Sequence, residues 1–122
     1  MLSEKAKEKF KHCSANNIFD YEQTPDMSGE IFDILCQHKA CKIERIVSAG
    51  HVTPIDEPYI QETHEWVILL KGHAEIDTRT QKHHLSEGDY LFIPAKTEHR
   101  VVFTSKDPVC VWLAIHFTAD NE

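Results

Sequence analysis

From Glu30 onward the chain is cut into short apolar segments by turn-forming residues, and this punctuation limits what it can fold into. Ala49-Gly50, Pro54, Pro58, Lys71-Gly72, Ser86-Glu87-Gly88-Asp89, Pro94 and Asp107-Pro108 mark the breaks. Glycine reaches backbone conformations that other residues avoid, and proline lacks the amide hydrogen that a sheet ladder needs. The pieces between breaks are strand-length, too short for helices that bury a face. Strands are predicted over Glu30–Gln37, Cys41–Ser48, Tyr59–Leu70, His73–Thr78, Tyr90–Ile93, His99–Thr104 and Val109–Phe117. Trp66-Val67-Ile68-Leu69-Leu70 reads as a buried strand, far short of the roughly 20 apolar residues that span a bilayer. Arg79 to His84 reads as a polar connector, with His83 and His84 in a loop. Before residue 30 the pattern changes. Leu2, Ala6 and Phe10 recur at a spacing of four and predict a short charged helix, followed by an extended arm pinned by Ile18, Phe19 and Tyr21. The expectation is an all-β, single-domain antiparallel β-barrel or jelly roll over residues 30–118, preceded by helix and arm over 1–29.

The chain has 122 residues, of which 41% are hydrophobic. That suits one domain with its own core. A formal net charge of −7 repels polyanions, so nucleic acid is excluded as an expected partner. The lysines at 5, 7, 9 and 11 do not reverse this, because Glu4 and Glu8 are interleaved with them. No apolar export segment follows Met1, and no membrane span is present, so a soluble cytoplasmic location is expected. Free thiols are then expected at Cys13, Cys36, Cys41 and Cys110. Cys36 and Cys41 enclose His38, but without a common structural-zinc spacing or an evident fourth ligand. A phosphate-cradling glycine loop, a dinucleotide fingerprint and a nucleophile elbow are all absent.

Two segments carry a family pattern. In EWVILLKG, Glu65 stands seven residues before Gly72. In GDYLFIPAKTEHR, Gly88, Pro94 and His99 follow in order. Together they resemble the two signature segments of the cupin superfamily. Ile43–Ser48, Glu65–Gly72, Gly88–Ala95 and Trp112–Phe117 further resemble a subgroup of small single-domain bacterial cupins. The resemblance implies a closed barrel with a central pocket, and a metal-ligand set of three histidines and one glutamate. Only Glu65 and His99 of that set are present. The other two positions fall on Tyr59 and Gln61, which implies weak metal affinity. Cupins include oxygenases, isomerases, decarboxylases and sugar epimerases, so the resemblance leaves the reaction class open.

The residues themselves point to the same place. Alternation puts Glu65 on the face of Val67 and Leu69, a carboxylate among apolar side chains. Such a group must be paired, bound to a metal or shifted in pKa. His99 offers a ring nitrogen to a metal or a proton. Gln61 offers an amide oxygen and Tyr59 a hydroxyl at the pocket rim. His64 has the opposite parity and joins Glu65 on one ion only through a bulge. His116 alternates with Trp112 and Ala114, so it borders the pocket. Arg45 and Arg100 either supply charge for an anionic ligand or face solvent. Two functions stay open. One is an enzyme acting on a small organic molecule. It either uses iron, zinc, manganese or nickel held by Glu65 and His99 with Gln61 or His64, or works without metal through Glu65 as base and His99 as proton partner. The other is a non-catalytic ligand-binding or sensor module with a degenerate metal site. The apolar content of both faces of the last strand favours a homodimer.

Overall fold

The computed structural model describes residues 12–26 and 28–119. The predicted N-terminal helix falls almost wholly outside them. Eight strands follow the arm: β1 (Ile31–His38), β2 (Cys41–Ser48), β3 (Thr63–Lys71), β4 (Ala74–Thr78), β5 (Lys82–Leu85), β6 (Tyr90–Ile93), β7 (His99–Thr104) and β8 (Cys110–Thr118). They form two antiparallel sheets, one ordered β1-β2-β8-β3-β6 and the other β5-β4-β7. The all-β expectation therefore holds, as a jelly roll of two facing sheets. No helix among the described residues is long and apolar enough to cross a membrane.

Alternation decides which side chains meet between the sheets. Glu65, Val67 and Leu69 of β3 point inward, as do Cys110, Trp112 and Ala114 of β8. They pack with Ala74 and Ile76 of β4, Leu85 of β5 and Ile93 of β6 in one core. Trp112 donates its indole N–H to Ser48 Oγ at 3.0 Å, and both residues are buried. That bond satisfies the one polar atom of the largest core side chain.

Three local features depart from the sequence reading. First, β3 begins at Thr63, not at Tyr59. Tyr59 instead exchanges backbone hydrogen bonds with His99, at 2.9 and 3.0 Å. The segment after Pro58 thus pairs with β7, at the edge of the small sheet, before the chain enters β3 of the large one, which ties the two sheets together. Second, Lys82–Leu85 is a strand, not a loop. It pairs with β4, setting His83 against Ile76 and His84 against Glu75. Only Leu85 of this edge strand is buried, so its sequence lacks the apolar signature of a strand. Third, Arg45 is buried beneath the arm. It donates to Asp33 Oδ2 at 2.9 Å and to the carbonyls of Ile18 and Asp20, and its guanidinium lies over the Tyr21 ring. Arg45 therefore fixes the arm to the outer face of the large sheet. Of the arm residues expected to anchor, Phe19 is exposed.

Gly72 earns its place in the EWVILLKG segment by geometry. Its φ is +95°, and a Cβ there would meet Cys110 Sγ at 2.9 Å and the Val109 carbonyl at 3.0 Å. A side chain would collide with the start of β8 as well as strain the backbone. The register shift between Leu69 and Lys71 lies beside it.

Candidate active site

The inward faces leave a cavity of about 150 Å³ at one end of the barrel. Its floor is apolar: Ile46, Val67, Ile76, Ile93, Val101 and Trp112. Its polar wall is Glu30, Glu44, Tyr59, Gln61, Glu65, His99 and His116. Six of the seven residues singled out from sequence, Tyr59, Gln61, Glu65, His99, Trp112 and His116, therefore line this cavity. His64 does not. It lies on the outer face, where Nδ1 accepts from the Ala95 amide at 3.0 Å and its ring packs on Phe92 and Phe117. No bulge turns it inward. Of the two arginines weighed for an anionic ligand, neither lines the cavity.

The local fold aims each group. Glu65 sits near the start of β3, paired with Ile93 on one side and His116 on the other. Its carboxylate is buried and accepts from Gln61 Nε2 at 3.1 Å. Gln61 is itself tied down, because its carbonyl accepts from the Lys96 amide at 2.6 Å. Lys96 adopts φ +65°, the tight turn that brings the chain from Pro94 back to His99.

His99 is 5% exposed and held from several directions. Its Nδ1 lies 2.9 Å from the Thr97 carbonyl. A carbonyl only accepts, so Nδ1 carries the hydrogen and Nε2 is left for the cavity. Nε2 stands 3.9 Å from Glu65 Oε1, within ion-pair range and beyond hydrogen-bond length. The Tyr59 ring stacks on the imidazole at 5.5 Å between centroids.

A second carboxylate–imidazole pair occupies the adjoining wall. His116 Nε2 donates to Glu44 Oε1 at 2.8 Å. Both side chains are close to nine-tenths buried, and Lys42 Nζ lies 3.9 Å from the other Glu44 oxygen. β2 pairs with β8 so that Glu44 faces Ala114 and Lys42 faces His116, which makes Glu44 and His116 diagonal neighbours. Sequence reasoning reached His116 and missed Glu44. In IERIVS a glutamate between isoleucine and arginine looks like a solvent-facing strand residue. Its parity with Ile46 and Ser48 was the available signal, but the inward side of β2 is known only once β8 lies beside it. Glu30, just before β1, was missed for the same reason. Burial pushes its carboxyl above the usual range, partly offset by His51. Burial also pushes up the Tyr59 phenol, helped by the carboxylates of Glu30, Glu65 and Glu44.

The comparisons agree with this architecture. A model of the cupin domain matches residues 46–116. A protein of Ralstonia eutropha, provisionally named a mannose-6-phosphate isomerase, is 35% identical, with a TM-score of 0.82 over 88% of this chain and 100% of its own. A cupin superfamily protein of Desulfitobacterium hafniense shares the fold at 19% identity and a TM-score of 0.66, covering 80% of this chain and 84% of its own. An RmlC-like cupin of Desulfovibrio desulfuricans does so at 18% and 0.67, covering 86% and 97%. No curated protein matches. The chain belongs to the cupin family.

The family's metal is a poor fit to these residues. Where two imidazoles would stand, this chain has a phenol and an amide, and the amide nitrogen is committed to Glu65. Among the described residues no three His, Cys, Asp or Glu side chains group to hold an ion. At the positions of the family's ligands one carboxylate and one imidazole remain, a thin donor set for a tightly held divalent cation.

Proposed function

We propose that the cavity is the active site of a small-molecule enzyme that moves protons by general acid–base catalysis. The observation that carries this reading is the pairing of a buried carboxylate, Glu65, with an imidazole whose cavity-facing nitrogen is left available by the Thr97 bond. The buried carboxylate is held in place by Gln61, and a base fixed beside the reacting carbon gains from proximity and orientation. The chemistry that suits it is isomerisation of a carbonyl compound bearing a neighbouring hydroxyl. Glu65 takes the proton from the carbon beside the carbonyl and returns it to the neighbouring carbon. His99 Nε2 carries the hydroxyl proton between the two oxygens. No atom or electron is gained or lost. The isomerase name provisionally given to the 35%-identical protein supports this class.

The cavity limits the reacting part of the substrate. A hollow of about 150 Å³ is the size that takes benzene, so about six heavy atoms enter it. His116 and Glu44 line the same space and orient the oxygen atoms of whatever enters.

Hydrogen–deuterium exchange tests the reading. Glyceraldehyde, dihydroxyacetone and glycolaldehyde are incubated with the protein in D₂O and followed by proton NMR. Loss of the carbon-bound proton signal is expected, slowed by about 10²–10⁴-fold in Glu65→Gln and unchanged by chelator. Elemental analysis of protein made without a histidine tag should find no stoichiometric ion. A tightly held ion that disappears in His99→Ala would instead establish a metal enzyme. Ligand-induced change in Trp112 fluorescence without any exchange would establish a binding module.

A further inference from the structure

The cavity opens into a broad surface groove of about 700 Å³, and the two share Phe32, Glu44, Tyr59, Gln61 and His116. The outer side of the groove is the β1–β2 hairpin, which presents His38, Lys39 and Lys42. We propose that this groove receives the anionic end, a phosphate or a carboxylate, of a ligand whose carbonyl end enters the cavity. The inference rests on the cavity being a ligand site, and adds the class of ligand and the residues that select it.

Charge is the first argument. Among the described residues that line the groove, the two lysines are the fixed cations and Glu44 is the one carboxylate. That carboxylate is already engaged by His116 at 2.8 Å and by Lys42 at 3.9 Å. Two lysines therefore stand against one carboxylate among these described residues, in a chain whose net charge is −7, while Glu30 and Glu65 lie deeper, in the cavity. An anionic group that reaches the hairpin meets these two ammonium groups before it meets the cavity carboxylates.

Rigidity is the second. β1 and β2 pair through Gln37 with Lys42 and His38 with Cys41, right up to the turn. The turn is then fastened to the end of β8, because the Thr118 amide and hydroxyl both donate to the Ala40 carbonyl, at 3.0 and 3.1 Å. The backbone that carries the lysines is therefore in place before a ligand arrives, which lowers the ordering cost of binding.

Size is the third. The inner cavity takes only the reacting atoms, and a phosphate or carboxylate tail needs a second, wetter compartment. The groove supplies it directly beside Tyr59 and Gln61. Lysine ammonium groups bind phosphate as point charges and need no forked geometry.

The test is an amide NMR titration of the whole chain with inorganic phosphate, and in parallel with acetate, at ionic strength held constant with chloride. Saturable shifts over Lys39–Lys42 are expected with at least one of the anions, and the tighter one identifies the tail. Lys39→Gln/Lys42→Gln removes both charges while leaving polar side chains and should weaken binding by about tenfold or more. Glu65→Gln should leave saturable anion shifts over Lys39–Lys42 in place while it slows proton exchange by about 10²–10⁴-fold, so failure of the groove and failure of the acid–base reading are separable. An absence of saturable shifts with both anions, or affinity that survives the double substitution, overturns the proposal.

Discussion

The Glu44–His116 pair gives the sharpest quantitative test of the site. Both side chains are nearly excluded from water and lie 2.8 Å apart. Removing either leaves the other buried without its main partner. Breaking such a pair costs about 3–5 kcal/mol. For His116→Ala the low end, about 3 kcal/mol, applies, because Lys42 at 3.9 Å still faces Glu44. Glu44→Ala should cost a similar amount by stranding the imidazole. In a domain of this length each kcal/mol moves the melting point by about 4 °C, so each single variant should melt about 12 °C lower. The double variant removes both polar groups together. A hydrogen bond to a charged group contributes about 1.5–3 kcal/mol, so the double variant should be about 2 kcal/mol more stable than the sum of the singles requires. Urea denaturation followed by circular dichroism on all four proteins measures this. Strictly additive losses would refute the reasoning, since they would mean that the two groups do not act as a bonded unit in the cavity wall.

Three further outcomes are expected. Ser48→Ala leaves the buried Trp112 indole N–H without its acceptor and should lower the unfolding free energy by about 1–3 kcal/mol; an unchanged urea midpoint would contradict this. Glu30→Gln should alter the pH dependence of stability. The folded state raises this carboxyl above its reference value of 4.5, so its contribution is present below that value and is lost as the pH rises through the folded one. The amide stays neutral, so the variant should gain stability over the parent near pH 7 and lose that gain below about pH 4; parallel stability profiles would defeat it. The third concerns the outer face of the large sheet, where Tyr90 is 65% and Phe92 49% exposed beside Trp66, Phe117 and His64. An exposed aromatic cluster of this kind favours self-association. Light scattering should report a dimer that Phe92→Glu converts to monomer, whereas a monomeric parent at every concentration would remove the expectation.

The strand pattern was legible because sheet periodicity is local. Val67 and Leu69 share the face of Glu65 whatever lies opposite them, and Gly72, Gly88 and Pro94 mark the turns by their own backbone preferences. The edge strand β5 was not legible, because three of its four residues are polar and the ladder to β4 alone orders it. Arg45 was misjudged for a related reason: a strand's outward side is solvent only if nothing crosses it, and here the arm does.

The sequence by itself determined the β architecture, the family pattern, and the candidacy of Glu65 and His99, since alternation, turn chemistry and motif spacing are all properties of neighbouring residues. Only the tertiary structure decided which groups share the cavity. It set Glu44 of β2 diagonally across from His116 of β8, turned His64 outward, and hung Lys39 and Lys42 at the mouth. Those relations depend on which strands become neighbours, and strand order is settled by the burial of faces distant in the chain.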